Sequence, residues 1–327
     1  MKARLCLTSV VLMLVGMPAT AQQPDPQCTD PAVVGVGLIG GDACQKAIDL
    51  FRYFNPQVGT LVQGGNATVG HGGTLRFARI AAGLRVTGLR ASVPELDGPG
   101  VAIGPAVQSS YEVKSKWAAL PSADLAVGLF EGIPLGLARV ASIEALGTAF
   151  IVPDVRHRGV RLDASGSRFR LGYGARVGII QESLFTPALV LTWMRRETPD
   201  IELSGRTSAQ DSVGVHELRV RSTGWRVVAS KSFLSFGLAA GIGRDEYRAR
   251  GELFYRLRAG AGAASVGVSE RVRRLNAFGN VSLNLPLIQM VGEVGRVSGG
   301  DVDTYNRFAT EADAARWYGS LGVRVSP

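Results

Sequence analysis

Residues 168–181 read Arg-Phe-Arg-Leu-Gly-Tyr-Gly-Ala-Arg-Val-Gly-Ile-Ile-Gln, and the odd positions are nearly all apolar. Phe169, Leu171, Tyr173, Ala175, Val177 and Ile179 share one face, while Arg168, Arg170, Gly172, Gly174, Arg176 and Gly178 share the other. Successive side chains of a strand point to opposite faces, so this stretch is a wall with a greasy side and a cationic or glycine side. Two architectures use such a wall. A soluble sandwich packs its apolar faces on each other. A membrane barrel turns them to lipid and gathers the polar faces in a lumen.

The same period of two recurs along the chain. Ala82, Leu84 and Val86 oppose Arg79, Ala81, Gly83 and Arg85, and later Trp317, Leu321 and Val323 oppose Arg316, Tyr318 and Arg324. Counted this way there are about ten strands, within a range of ten to fourteen. Short turns at 133–136, 184–187, 233–235 and 285–287 alternate with longer polar loops at 94–120, 153–167, 204–212, 245–252 and 298–314. Segments 213–232 and 235–257 exceed the roughly 9–11 residues that one membrane crossing needs. Tyr173, Trp193, Trp225, Tyr255 and Trp317 fall toward strand ends, where interfacial aromatics sit. Long strands, alternating connections and aromatic ends select the barrel. The expected fold is all-β, a transmembrane antiparallel up-and-down β-barrel with a short N-terminal helix or plug.

Residues 1–21 have the form of an export signal: Lys2 and Arg4, an apolar run over 5–15, and Ala19-Thr20-Ala21 before the expected cleavage. That run is too short to span a bilayer as a helix. The expected location is therefore the bacterial outer membrane. Cys28 and Cys44 are the pair left after the signal, and in an exported chain they are expected to form a disulfide. Residues 22–73 then form a disulfide-closed segment, expected on the periplasmic side, and 74–327 the barrel. A helix is expected over 43–54, with Asp42 as its N-cap and Asn55-Pro56 as its stop.

The net charge is +9, and only five of the 36 basic residues are lysine. Arginine pairs bidentately with phosphate, so outer-membrane lipids and lipopolysaccharide are the expected counter-charge. No nucleic acid partner is expected for an exported chain. The barrel insertion machinery is an expected partner, although the chain closes on Arg-Val-Ser-Pro rather than on a terminal aromatic.

Candidate chemistry is sparse. Gly35-Val36-Gly37-Leu38-Ile39-Gly40 matches the dinucleotide spacing GxGxxG, but no strand pattern precedes it and no parallel-sheet pattern follows. The three histidines, His71, His157 and His216, form no cluster of metal-ligand spacing, so no metal or other cofactor is expected. A hydrolase triad could draw on His216, a serine such as Ser222 and an acid, but nothing in the spacing selects it. The residues expected to face the lumen are Arg79, Arg85, Arg168, Arg170, Arg176, Glu217, Arg219, Arg221, Glu252, Arg256, Gln289, Glu293, Arg316 and Arg324. They can form a ladder of ion pairs filling a narrow barrel or a cationic pathway that favours anions.

Export, a short N-terminal helix at Asn55-Pro56, the glycine-rich Gly64-Gly65-Asn66-Ala67 and a following barrel resemble the long-chain fatty-acid transporter type of outer-membrane barrel. That family carries Asn-Pro-Ala where this chain has Asn55-Pro56-Gln57. The resemblance implies that residues 43–73 occupy the barrel's mouth or interior. It also implies that Phe51, Tyr53 and Phe54, beside Asn55 and Pro56, line a hydrophobic site. The expected function is non-enzymatic: passive transport of small hydrophobic or anionic molecules. The alternatives are a structural or accessory protein that binds lipopolysaccharide or a partner, and an outer-membrane hydrolase.

Overall fold

The computed structural model describes residues 22–66, 73–96, 100–136, 138–157, 160–206, 211–257 and 263–325. Ten antiparallel strands among them close a barrel. They are β1 (Ile80–Pro94), β2 (Val113–Phe130), β3 (Ala138–Ile151), β4 (Phe169–Ile180), β5 (Ala188–Glu197), β6 (Ser212–Phe233), β7 (Phe236–Arg256), β8 (Ala263–Asn284), β9 (Ile288–Ser298) and β10 (Arg316–Val325). Each pairs with its sequence neighbours, and β10 closes on β1 with Leu84 opposite Val323. One long helix, α1 (Gly41–Gln63), runs inside, after short helical turns at Pro26–Thr29, Pro31–Val34 and Val36–Leu38.

The opening stretch becomes β4 with its apolar side outward. Leu171 is 67 % exposed, whereas Arg176 is fully buried within. Leu84, Ile242, Val294 and Leu321 are likewise exposed around the wall. Tyr173, Trp193 and Trp225 pack side by side across β4, β5 and β6, the first pair T-shaped and the second tilted, with centroids 5.8 and 6.2 Å apart. Trp117 on β2 and Trp317 on β10 are also exposed on the outside. Tyr255 does not join them. Tyr255 is buried inside, against the start of α1, where a Cβ on Gly40 would meet its ring.

The wall changes character part-way up. On β7, Phe236, Leu238 and Ile242 face out, and then Arg244, Glu246, Arg248 and Arg250 take over the same face. Inside, the order reverses: Asp245 gives way to Tyr247, Ala249, Leu253 and Tyr255. The lower half is thus apolar outside and polar inside, as lipid requires. The upper half is polar outside and apolar inside, like a soluble protein wrapped on a helix. Residues 245–252, expected as a loop, are mid-strand here, because β7 and β8 stay in unbroken register from Phe236↔Leu283 to Arg256↔Ala263. Residues 113–120 likewise belong to β2 rather than to a loop.

The helix is also longer than expected and does not stop at Asn55-Pro56. A proline inside a helix costs about 3 kcal/mol in isolation, but this turn is held from outside. Asn55 Nδ2 donates to Glu270 (2.8 Å), and Thr60 Oγ1 donates to the Pro56 carbonyl (2.7 Å). The N-cap is Gly40, and Asp42 sits in the first turn, accepting from the amides of Ala102 (2.7 Å) and Val107 (3.0 Å) and from Lys46 Nζ. Cys28 and Cys44 are bonded, tying the leader to this first turn. The helix start lies under the long loops. The N-terminal segment is therefore not at the short-turn end assigned to it above. Gly64–Asn66 and, lower down, Gly73–Leu75 bond to lumen-facing side chains, and β1 begins at the opposite rim.

Candidate functional site

Three lumen arginines converge on the lower end of α1, where helical carbonyls lack intrahelical partners. Arg226 donates to the carbonyls of Gly65 (2.9 Å) and Gln63 (2.5 Å), Arg196 to those of Val62 (3.0 Å) and Gln63 (3.2 Å), and Arg85 to that of Gly64 (2.8 Å). Their counter-ions are buried too: Asp124 holds Arg85 at 2.8 Å, and Asp245 lies 3.8 Å from Arg226. Gln63 also accepts from Ser222 (3.0 Å), and Glu293 accepts from the Asn66 amide (3.3 Å). Below, Arg176 bridges Glu144 and the Gly73 carbonyl (2.7 Å), and the Leu75 amide donates to Glu144. The helix is clamped at mid-barrel, and the chain after it is tied to the lower wall.

The sequence-derived lumen set divides in the structure. Arg85, Arg176, Glu293, Arg316 and Arg324 are buried inside, Arg316 donating to Ser92 at 2.7 Å. Arg170 and Gln289 face in half-buried, Gln289 bonded to Asn284. Arg79 is exposed at the short-turn rim, and Arg168 at the long-loop rim, paired with Asp154. Glu217, Arg219, Arg221, Glu252 and Arg256 are outside the lumen, which corrects their assignment. A bulge between His216 and Arg219, with Glu217 at φ 51°, resets the parity of β6. On β7 the polarity inverts with no bulge. Arg196, Arg226, Asp124 and Asp245 were missed, although Arg226 sits beside lipid-side Trp225 and must point the other way. His216 stacks on Phe254 on the outer side, while Ser222 is buried inside, so the hydrolase pair is not brought together. His71 lies outside the described residues. Gly35 and Gly37 take positive φ in a tight turn, with short helical turns before it among the described residues. No cluster of three metal-ligating side chains occurs among the described residues.

On the other side of α1 is an apolar chamber of about 80 Å³. Phe54, Val58 and Leu61 form its floor, Leu89, Val93 and Leu120 one wall, and Val152, Val160 and Leu162 the other. Of the helix residues, only Arg52, Val58 and Leu61 are not fully buried. The reason is in the wall. β3 ends at Ile151, and its pairing with β2 reaches only Ser122↔Phe150. Above Ser122, residues 113–121 of β2 pair with β1 alone among the described residues, and Ala118 stands at this unpaired edge. Trp117, 78 % exposed, marks the same height outside. Phe51 and Tyr53 do not line the chamber; Tyr53 stacks instead on Phe308, at 4.3 Å, in the loop before β10.

Asp49 pins that loop to the helix. It accepts from Asn306 N (2.8 Å) and Nδ2 (2.6 Å), Tyr305 N (3.1 Å) and Gln45 Nε2 (3.1 Å). Burial outweighs these donors and pushes its carboxyl up to about 6, from an ordinary 3.8. A carboxyl raised on folding binds extra protons in the folded state, so its stabilisation is full below pH 3.8 and lost as pH rises through 6. Lowering pH from 6.5 to 4 should raise the unfolding free energy by on the order of 1–3 kcal/mol through this group. Urea-titrated gel mobility at each pH measures it, and Asp49→Asn should remove the increment. Equal slopes in the two proteins would rule the assignment out.

No family model and no curated protein matches the sequence. Solved structures of similar shape include the outer membrane protease OmpT from Escherichia coli (11 % identity, TM-score 0.43, 79 % of this chain and 100 % of that one). The translocator domain of the autotransporter NalP from Neisseria meningitidis is similar at 12 % identity and TM-score 0.44, over 86 % and 99 % of the two chains. The toluene transporter TodX from Pseudomonas putida is similar at 10 % identity and TM-score 0.32, over 77 % and 89 %. At these scores they assign no activity to this chain.

Proposed function

We propose that the chain is an outer-membrane barrel that takes small hydrophobic molecules from the outer leaflet through the β2 gap into the chamber beside α1. The observation that carries this reading is the coincidence of an unpaired wall edge with an apolar chamber at the height of Trp117. At about 80 Å³ the chamber is roughly half an apolar cavity that takes benzene, so its present form seats the end of a ligand. An anion pathway is less well supported, because Arg85, Arg176, Arg196 and Arg226 at the middle of the lumen are committed to the carbonyls at and after the helix end or to Asp124, Asp245 and Glu144. The reading includes no catalytic step.

Cells producing the protein should accumulate radiolabelled naphthalene several-fold faster than cells without it. Ala118→Trp should return uptake to background while the barrel keeps its heat-modifiable gel mobility. Uptake unchanged by Ala118→Trp would overturn the route. The clamp on α1 favours a second reading, a non-transporting structural or accessory protein, for which production of the chain leaves uptake at background.

A further inference from the structure

The outer face of β5–β8, directly above the Trp193–Trp225 pair, carries charge that the lumen does not use. Trp225 stands opposite Arg244, Thr223 opposite Arg195 and Glu246, and Arg221 opposite Glu197 and Arg248. Across the next strand, Glu246 stands opposite Arg273 and Arg248 opposite Arg271. These three rows hold six arginines and two carboxylates, a local excess of four positive charges. Arg248, Arg271 and Arg273 all turn to the single carboxylate of Glu246, yet each keeps about half its side-chain surface exposed. Arg195 and Arg244 have no acidic partner among the described residues. The row above still carries Arg250 opposite Arg219, which Asp200 holds bidentately at 2.9 Å, and the next row turns acidic with Glu202 and Glu252 beside His216, which bounds the patch.

We propose that these outward arginines bind the phosphates of a membrane glycolipid whose acyl chains lie against the apolar belt below. The inference rests on the membrane placement of the barrel and not on uptake. Four strands make the patch about 14 Å wide. That width sits at the aromatic level, where headgroups lie. Guanidinium groups bind phosphate oxygens in pairs and lose less hydration than ammonium groups. A nucleic acid would need the same charges away from a lipid-facing aromatic row.

The test uses the full barrel in neutral detergent, with bound lipid counted by native mass spectrometry. Bisphosphorylated lipid A should be retained in preference to monophosphorylated lipid A and to a zwitterionic phospholipid. The triple variant Arg221→Ser, Arg248→Ser, Arg271→Ser should lose about tenfold in affinity for the bisphosphorylated form. Arg90→Ser with Arg296→Ser, outward arginines on β1 and β9, should change it by less than about twofold. Equal losses in the two variants, or no preference for phosphate, would overturn the site. Displacement of the lipid by millimolar inorganic phosphate would overturn the choice of a membrane lipid. Heat-modifiable mobility of each variant separates a lost site from a lost barrel.

Discussion

Arg226→Met is expected to cost about 3–5 kcal/mol of unfolding free energy, the usual range for breaking a buried charge pair from one side. Methionine keeps much of the side-chain volume. It loses the donors to Gly65 and Gln63 and leaves Asp245 buried without its closest cation. Burying an uncompensated carboxylate is the larger part of the loss, since each hydrogen bond alone is worth about 1–3 kcal/mol. Adding Asp245→Asn to Arg226→Met should therefore recover at least half of it, because both charges then leave together. Urea titration followed by gel mobility reads both numbers. A loss below about 1 kcal/mol for the single variant would mean that the clamp does not hold the helix.

Gly59→Ala should destabilise, although the same change at an exposed helix position gains about 0.8–1 kcal/mol. The sign is the diagnostic. A Cβ on Gly59 would lie 2.3 Å from Cγ of Tyr247 and within 2.6 Å of both ring Cδ atoms. That ring is fully buried, and its hydroxyl is enclosed by Thr60 at 3.4 Å and Asp245 at 3.5 Å. The helix must lift instead, at an overpacking cost of about 1–3 kcal/mol or more. Gly59→Leu should unseat it far enough for trypsin to cut at Arg52 in an otherwise folded barrel. Tyr247→Ala in the same chain should restore resistance. A Gly59→Ala protein as stable as the parent, or more so, would show that helix and wall are not in tight contact here.

The lower barrel was legible because lipid imposes one rule on every strand. Phe169, Leu171 and Tyr173 alternate with Arg170 and Gly172, and the same reading placed Arg85, Glu293 and Arg324 inside. The upper barrel was misread because water replaces lipid outside while α1 replaces the polar lumen inside. Glu252 and Arg256 keep the outward parity of Leu238 and Ile242, so a reader who follows polarity rather than parity turns them inward. Trp225 held the correct phase for β6 and would have yielded Arg226. Nothing local announced that α1 continues past Pro56, because the groups that stabilise that turn, such as Glu270, come from distant strands.

The disulfide-tied helix start lies under the long loops, while β1 and β10 meet at the seam and reach the opposite rim. A closed cylinder offers that segment no easy entrance, since the arginines and the bonded pair Cys28–Cys44 would have to pass one another in a crowded bore. The order of assembly follows. The leader and helix must be in place before the first and last strands zip, so the sheet is wound around its own axle. The inward apolar residues Val215, Leu253 and Tyr255 then serve as the surface by which the growing sheet recognises it.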